Sequence, residues 1–379
     1  MHFVDVTMFC AAEGGGVRTY LAAKSEWLAR NTRIRHTIVG PGPCGGGCSS
    51  SSFVSVPGIT IPNTNGYRLP LSGRIASRVL QRLQPDLIEV GDACQFAWAA
   101  LRVKHKIDVP VVAFYHSDLV QIAEQRFGAA AGRAVAYYAS SLYRQFDLVL
   151  APSQLMVQRL HHLGVKRVKH QPLGVDTSMF TPKRRDETFR ARLGLPENAR
   201  LLVYAGRFTR EKKLPLLMEA VQRLGDPYYL LMVGSGKMRE RSPRLIHLPF
   251  QRDPHVLASV IASCDVMVHP GDQETFGLVV LEAMACGIPV LGVAAGGVAE
   301  LVSSDTGLLV RPGSAAALAE GLEALYEGDL AQLGANGRRR TLEKYDWNLI
   351  VPQLVAQYAN LFAAHERAEL EAGLSYAAE

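Results

Sequence analysis

Short apolar runs, rich in β-branched and aromatic residues, alternate with longer amphipathic segments along the whole chain. Runs this apolar are typical of strands buried on both faces, which are parallel strands covered by helices. The first half contains HFVDVTMF, HTIVG, FVSV, DLIEVG, VVAFYH and DLVLAPS. The second half contains RLLVYAGR, YYLLMVGSG, LIHLPF, DVMVHPG, PVLGVAAGG and GLLVRPG. The pattern predicts an α/β fold built from two Rossmann-like, doubly wound domains.

A segment at about residues 170–187, HQPLGVDTSMFTPKRRDE, separates the two strand-rich regions with Pro, Gly and a charged run. A chain of 379 residues is also too long for one ordinary core. We therefore predict one domain over residues 1–175, a second over 176–349 and a C-terminal helix over about 350–379. Two such domains joined by a hinge would face a deep cleft, which is a usual place for a ligand.

Charge is distributed unevenly between the two halves. Residues 1–175 contain 19 Lys and Arg against 10 Asp and Glu, whereas the remainder contains 22 against 25. A basic first half indicates an anionic partner there, such as nucleic acid, an acidic membrane or a phosphorylated substrate. The six scattered Cys residues lack partners at metal-site spacing and indicate reduced thiols in a cytoplasmic protein. No signal peptide or transmembrane run is expected.

Two glycine-containing loops could bind phosphate. Gly15 and Gly16 follow the first predicted strand and lead directly into a predicted helix, so backbone N–H groups there could face an anion. The alternative is a simple tight turn. In the second half, Arg207 and Lys212 follow a strand that ends at a glycine. Two cations beside a helix start suit a diphosphate, although a solvated basic turn is the alternative.

Two carboxylates, Glu274 and Glu282, lie around the start of a helix predicted over 276–286. The unpaired N–H groups at the start of that helix would form an anion site. A carboxylate beside an anion site more plausibly accepts hydrogen bonds from sugar hydroxyls, and a nucleotide sugar has hydroxyls on both sides of its diphosphate. The alternative is a charge at the helix start and an unrelated surface acid. The residues assigned to the anion site are Thr275, Phe276, Gly277 and Leu278.

The segments GRFTREKK, GDQETFGLVVLEAMACGIPV and AGGVAELV together closely resemble the retaining glycosyltransferases of family 4, which have the GT-B fold. That family carries a Gly-Gly loop after its first strand, an Arg and a Lys five residues apart after a glycine, and a Glu-x7-Glu motif. The matching positions are Gly15, Gly16, Arg207, Lys212, Glu274 and Glu282. The resemblance covers nearly the whole chain and is strongest over 200–312.

The resemblance implies a role for each matching residue. In the family the Arg and Lys bind the donor diphosphate, the first Glu contacts the donor sugar and the second contacts the ribose. In FYHSD, His116 resembles the family's histidine near the reacting sugar, although a lone histidine is more often structural. His116 and Glu274 are therefore the implied catalytic residues. The family's C-terminal helix crosses back onto the first domain, as YDWNLIVPQL and the residues after it would here.

The implied reaction transfers a hexose, with retention of configuration, from a nucleoside diphosphate sugar to a hydroxyl of a glycan, lipid or small molecule. The motifs resemble mannosyltransferases that use GDP-mannose slightly more closely than enzymes that use a UDP-hexose. No Asp-x-Asp occurs in the sequence, so we expect no metal ion. We also expect no cofactor, because the nucleotide sugar is a substrate, and no nucleic-acid partner. A GT-B nucleotide-sugar epimerase and a non-catalytic carbohydrate-binding homologue are the alternatives.

The segment GRIASRVLQRL is predicted to form an amphipathic helix. Arg74, Arg78 and Arg82 recur every four residues, and Ile75, Val79 and Leu83 form a second line. Such a helix could lie on an anionic membrane and meet a lipid acceptor at its inner face. The alternative is an ordinary surface helix with a solvated basic stripe.

Overall fold

A computed structural model describes residues 1–9, 15–42, 52–61, 66–236 and 242–376. The chain divides into two compact units: Met1–Pro172 with Trp347–Glu379, and Leu173–Asp346. The sequence analysis placed the same divisions at 175/176 and about 350. Most of the glycine- and serine-rich stretch 40–52, with Cys44 and Cys48, lies outside the described residues.

The first unit contains a seven-stranded sheet in the order β3-β2-β1-β6-β7-β8-β9 and a two-stranded antiparallel hairpin, β4-β5. Every pairing in the large sheet is parallel. The strands are β1 (His2–Val6), β2 (Arg35–Pro41), β3 (Ser52–Val56), β4 (Gly58–Thr60), β5 (Arg68–Pro70), β6 (Leu87–Val90), β7 (Val111–Phe114), β8 (Leu148–Ala151) and β9 (Val168–His170).

The second unit contains a six-stranded sheet in the order β12-β11-β10-β13-β14-β15, and every pairing in it is parallel. The strands are β10 (Arg200–Ala205), β11 (Tyr228–Gly234), β12 (Leu245–Pro249), β13 (Val266–His269), β14 (Val290–Val293) and β15 (Gly307–Val310). The strand order reverses between β10 and β13. In doubly wound sheets ligands bind at the carboxyl ends of the strands at such a reversal.

Helices connect the strands of both sheets, and Ser or Asp side chains cap several of their starts. In the first unit they are α1 (Gly16–Asn31), α2 (Gly73–Leu83), α3 (Gln95–Ile107), α4 (Leu119–Phe127), α5 (Ala129–Tyr143), α6 (Gln154–His162) and, at the C-terminus, α14 (Trp347–Tyr376). In the second unit they are α7 (Phe189–Arg192), α8 (Leu214–Leu224), α9 (Pro254–Ala262), α10 (Leu278–Ala285), α11 (Val298–Leu301), α12 (Ala315–Glu327) and α13 (Leu330–Lys344).

All twelve apolar runs identified in the sequence form strands of the two sheets, which confirms the predicted α/β architecture. The central strands are nearly free of solvent contact because helices cover both faces, whereas the edge strands β3 and β12 are partly exposed. Strand β9 and the hairpin β4-β5 were not predicted. These three strands have only three residues each and are partly exposed, so they carry no apolar run.

The C-terminal helix α14 packs on the first unit. The ring of Tyr358 meets Phe3 of β1 edge to face, with ring centroids 5.4 Å apart. At the start of α14, Trp347 is 7% exposed, and its ring centroid lies 6.3 Å from that of Tyr20. The helix thus covers part of the sheet that α1 also covers.

A buried ionic network lies beneath this helix. The Lys24 ammonium of α1 lies 2.7 Å from Asp5 and 3.3 Å from Glu89, with all three side chains at most 2% exposed. The hydroxyl of Tyr358 accepts a hydrogen bond from Lys24 at 3.0 Å and donates to Glu89. Tyr20 also donates to Glu89, at 2.8 Å. Lys24 is therefore the cation between two buried carboxylates on neighbouring strands.

Helix α2 exposes its arginine line, and of the second line Val79 and Leu83 pack against the core. Arg74, Arg78 and Arg82 are exposed, and Ile75 is also 37% exposed. The residues fully buried against the core are Ala76, Ser77 and Leu80. The buried face of α2 therefore combines Ala76, Ser77 and Leu80 with the partly buried Val79 and Leu83, and Ile75 lies outside it.

Candidate functional site

The order reversal in the second unit brings two predicted segments together. Arg207 and Lys212 lie in the connection after β10, and Glu274 lies in the connection after β13, which is the next strand in the sheet. Gly271 marks the contact between these connections. A Cβ added there would come within 3.4 Å of the Lys212 backbone. Both connections are therefore at the carboxyl edge where such sheets bind ligands.

The connection after β10 presents Arg207 and then a short 3-10 turn, Arg210–Lys212, before α8. The Tyr204 hydroxyl, buried at the end of β10, donates to the Arg207 carbonyl at 2.9 Å and fixes the backbone at that point. Arg207 is half-buried. Its guanidinium makes no hydrogen bond or ion pair with the described part of the chain, so its donors remain available to a ligand.

Glu274 is bound by two basic side chains. The Lys212 ammonium forms an ion pair with Glu274 Oε1, and Nε2 of His269 lies 3.1 Å from the same oxygen. Burial opposes ionisation of Glu274, but the Lys212 charge and the His269 hydrogen bond outweigh it. Together they hold the pKa of this carboxyl well below its usual range. Glu274 is thus a carboxylate with a fixed direction at neutral pH.

A glycine pair on the connection after β14 supports the Glu274 loop. The Gly297 amide donates to the Glu274 carbonyl at 2.7 Å. A Cβ at Gly297 would lie 2.6 Å from the Thr275 carbonyl oxygen, closer than any side chain can approach. The AGG segment was used in the sequence analysis only as part of the resemblance, and this contact gives it a role that sequence alone could not assign.

Helix α10 begins after this loop. Gly277 is its N-terminal cap with φ of 110°, a backbone conformation that favours glycine, and the helix runs from Leu278 to Ala285 rather than over 276–286 as predicted. Thr275 is half-buried, and Phe276 is 4% exposed with its ring edge against Tyr345. In the first turn the Val280 amide donates to the Gly277 carbonyl at 3.0 Å, and the earlier amides, which have no partner within an α-helix, are left as donors for an anion.

Glu282 lies in the second turn of α10 and differs sharply from Glu274. Its side chain is half-buried, and among the described residues no group hydrogen-bonds to its carboxyl. Burial raises the pKa of Glu282 to about 7. Glu274, in the loop, is therefore a carboxylate fixed by Lys212 and His269, whereas the carboxyl of Glu282, in the helix, has no hydrogen-bond donor among the described residues.

The first unit holds the other three predicted residues at the carboxyl edge of its own sheet. Gly15 is the N-terminal cap of α1 and Gly16 is its first residue, and no atom of the described residues lies within 4 Å of a Cβ added at Gly15. Gly14, just before them, is outside the described residues. The amides of Arg18 and Thr19 donate to the Gly15 carbonyl, at 3.0 and 3.4 Å, so Gly15 begins the hydrogen-bonded part of the helix.

His116 follows β7, two strands from β1 in the sheet order. Its ring stacks on Phe114 with centroids 4.3 Å apart and planes 3° apart, and Tyr20 lies 5.4 Å away. Burial, more than the nearby charges, lowers the pKa of His116 to about 3. The imidazole is therefore neutral and rigidly oriented at physiological pH.

The second unit thus places Lys212 against Glu274, with Arg207 in the same connection as Lys212 and with residues 275–278 and Glu282 in the loop and helix that follow Glu274. The sequence analysis missed His269 and Tyr204 as supports of this group. Both lie at strand ends, which is the one available signal, but only the folded chain shows what they contact.

Within the described ranges no group of three or more His, Cys, Asp or Glu side chains is placed to hold a metal ion. No helix of the described chain has the length and apolar character needed to cross a membrane.

Comparison with known proteins identifies the chain's family. A family model described as Glycosyl transferases group 1 matches residues 185–340, and the model for Glycosyltransferase Family 4 matches residues 14–179. A GDP-mannose-dependent alpha-mannosyltransferase of Mycolicibacterium smegmatis is 32% identical over 74% of this chain and 75% of the relative. The chain belongs to glycosyltransferase family 4. It is a glycosyltransferase that uses a nucleotide-sugar donor.

Two further relatives of this family 4 enzyme are informative. A GDP-mannose-dependent alpha-(1-6)-phosphatidylinositol dimannoside mannosyltransferase of Mycobacterium tuberculosis is 31% identical over 81% of this chain and 83% of the relative. The sulfoquinovosyl transferase SQD2 of Arabidopsis thaliana is 32% identical over 74% of this chain, but the match spans only 57% of that longer protein.

Solved structures confirm the GT-B fold of the enzyme. Sucrose-phosphate synthase from Thermosynechococcus elongatus superposes with a TM-score of 0.79 at 21% identity, covering 96% of this chain and all of the other. Anabaena HepE in complex with UDP-glucose gives a TM-score of 0.77 at 19% identity, covering 95% of this chain and all of the other. At these identities the likeness establishes the fold and not the substrate.

Proposed function

We propose that the enzyme transfers a hexose with retention of configuration from a nucleoside diphosphate sugar to a hydroxyl, with GDP-mannose as the favoured donor. The observation that carries the proposal is the contrast between Glu274, held by Lys212 and His269, and Glu282, which has no hydrogen-bond partner in the described chain. A helix start lies between them. The order along the chain is Glu274, then the helix start, then Glu282. A nucleotide sugar matches this order because it has one sugar on each side of its diphosphate.

The assignment of groups follows from that match. The hexose hydroxyls donate to Glu274, the ribose hydroxyls donate to Glu282, and the diphosphate lies at the α10 amides with Arg207 and Lys212. Arg207 suits this role because its fork of N–H donors has no partner within the described residues. GDP-mannose is favoured because several relatives are named for it. A UDP-hexose is the second donor class to test.

During transfer the bond between the hexose C1 and the leaving phosphate oxygen breaks, and the acceptor oxygen bonds to C1 on the same face. The acceptor proton passes to the departing diphosphate. Negative charge grows on that diphosphate, and Arg207, Lys212 and the first-turn amides of α10 stabilise it without a metal ion. We assign the neutral His116 and the Gly15–Gly16 loop to the reacting sugar and the donor phosphates by resemblance to the family.

The acceptor belongs to the first unit in this proposal and is a hydroxyl of a glycan, a lipid or a small molecule. We propose a cytoplasmic enzyme that meets the inner face of an anionic membrane through the exposed Arg74, Arg78 and Arg82 line of α2. Sedimentation with vesicles of zwitterionic lipid, with and without 30% anionic lipid, tests this contact. Binding that does not depend on the anionic lipid contradicts it.

The proposal is tested in two steps. A thermal-shift panel of nucleotides and nucleotide sugars identifies the donor, because a ligand of the native state raises its stability. The identified donor is then incubated with and without candidate acceptors, and the product's anomeric configuration is read by proton NMR. A transferred hexose with the donor's configuration supports the proposal. Release of an altered nucleotide sugar without an acceptor would indicate an epimerase, and binding with neither reaction would indicate a non-catalytic homologue.

A further inference from the structure

The last residue of β13, His269, is 1% exposed, and its two ring nitrogens have very different surroundings. Nε2 lies 3.1 Å from Glu274 Oε1. Nδ1 is buried and has no hydrogen-bond partner among the described residues. The ring is closely confined, since a Cβ added at Gly271 would lie 3.1 Å from its Cε1. One nitrogen therefore bonds to the proposed hexose-binding carboxylate and the other is left unsatisfied.

This arrangement determines which nitrogen carries the hydrogen. An ionised carboxylate only accepts hydrogen bonds, so Nε2 must be the donor to Glu274. An unsatisfied polar atom in a buried position is costly and calls for an explanation. Packing does not explain it, because an apolar side chain of similar size would fill the same place without the unsatisfied nitrogen. The hydrogen bond from Nε2 to Glu274 explains why a histidine occupies this position although its Nδ1 is unsatisfied.

Lys212 alone would hold Glu274 poorly during a reaction cycle. Its ammonium is a point charge on a flexible stem, and in the proposed function it also contacts the donor diphosphate. A doubly charged diphosphate would draw Lys212 away from Glu274 when the donor binds. His269 has no such second partner, since its ring is buried and confined by the chain. It can keep Glu274 in place while Lys212 engages the phosphates.

We infer that His269 is a positioning residue: it holds the Glu274 carboxylate in the direction of the donor hexose after the diphosphate has engaged Lys212. This inference rests on the proposed function, because it takes the Glu274 carboxylate as the group that contacts the hexose. It predicts that the loss of His269 damages the chemical step and not nucleotide binding.

The test compares His269→Leu, which removes the donor, with His269→Gln, whose side-chain amide can place an N–H near the position of Nε2. We expect His269→Leu to lower kcat by about tenfold to a hundredfold, the effect of losing one hydrogen bond to a charged group. Donor KM and the affinity for free nucleoside diphosphate should stay within about twofold of wild type. His269→Gln should recover most of the lost kcat.

The pH profile adds a readout that a purely structural role would not change. The ionisable groups that face Glu274 are Lys212, His269 and, less directly, Tyr204. Without the His269 hydrogen bond Glu274 is easier to protonate, so the acidic limb of log kcat against pH should move to higher pH in His269→Leu. It should return towards the wild-type position in His269→Gln.

Glu274→Gln is measured beside these variants to separate the two ideas. If Glu274→Gln loses turnover while His269→Leu keeps the wild-type kcat and pH profile, the inference is wrong and the proposed function stands. If the wild type and Glu274→Gln transfer hexose equally well, the proposed role of Glu274 fails instead. Equal losses in the Leu and Gln variants with an unchanged pH profile also overturn the inference. If His269→Leu does not fold, His269→Phe replaces it, since that ring keeps the shape and lacks the nitrogens.

Discussion

We expect nucleoside diphosphate binding by the wild-type enzyme to depend on pH near neutrality, and replacing Glu282 with Gln should abolish this dependence. Burial raises the pKa of Glu282 to about 7, so its carboxyl changes from mostly protonated to mostly ionised across the physiological range. The proposed ribose contact needs the ionised form, because a carboxylate accepts hydrogen bonds at both oxygens. Affinity should therefore rise with pH.

The expected magnitude follows from the pKa. One pH unit below it about one carboxyl in eleven is ionised, and one unit above it about ten in eleven are ionised, so affinity should rise about tenfold between pH 6 and pH 8. This corresponds to about 1.4 kcal/mol. The same raised pKa means that Glu282 favours the fold most in acid and loses that contribution as pH rises through about 7. The nucleotide-induced increase in Tm should accordingly be larger at pH 8 than at pH 6.

Calorimetric titrations of the wild type and Glu282→Gln from pH 6 to pH 8.5 measure the effect. The phosphate of the ligand also titrates in this range, but it does so equally for both proteins, so the ratio of their affinities isolates Glu282. We expect a ratio that grows from near one at pH 6 to about tenfold at pH 8. A ratio that is constant across the range would refute the reasoning, whatever its size.

Three further outcomes are expected. Arg207→Ala and Lys212→Ala should each weaken donor binding and slow transfer by about tenfold to a hundredfold, since a charge-assisted contact is worth about 1.5–3 kcal/mol. Arg223→Ala, at an exposed position, is the control. Wild-type affinity and rate in both site variants would contradict the diphosphate assignment. Activity should survive excess EDTA, and complete loss restored by Mg²⁺ or Mn²⁺ would reverse this expectation. Lys24→Met should lower the free energy of unfolding in urea by about 3–5 kcal/mol because two buried carboxylates lose the Lys24 ammonium. The control Lys104→Met, at a partly exposed ion pair, should lower it by under about 1 kcal/mol. Equal losses in the two variants would show that burial of the network is unimportant.

The strands of both sheets could be predicted because burial on both faces imposes uninterrupted apolar runs, and those runs are visible without a structure. The partly exposed edge strands β3 and β12 could also be predicted because each still carries an apolar run, whereas short strands without such a run could not. The edge strand β9 and the hairpin β4-β5 are short and partly exposed, so their sequences carry no apolar signal. In α2 the burial of the small Ala76 and Ser77 and the exposure of Ile75 could not be predicted, because small side chains contribute little to an apolar pattern.

Part of the site could be predicted because its two glutamates lie close together in the sequence. Glu274 and Glu282 are separated by one loop and little more than one helical turn, and this separation is visible in the sequence. His269 was not predictable as a partner of Glu274, because a single histidine at the end of a strand has many ordinary explanations. The opposite pKa shifts of the two glutamates also arise from folding, since one gains a cation and the other gains only burial.

The most direct test of the account is a paired measurement on Glu274→Gln and Glu282→Gln, after thermal melts show that both variants are folded. For each variant, kcat for hexose transfer and calorimetric affinity for the free nucleoside diphosphate are measured at pH 8. Glu274→Gln should lose turnover and keep nucleotide affinity, because the free nucleotide lacks the hexose. Glu282→Gln should lose nucleotide affinity, by about tenfold or more. The reverse assignment, or no change in either quantity for both variants, would contradict the claim that the two carboxylates bind different sugars of one donor.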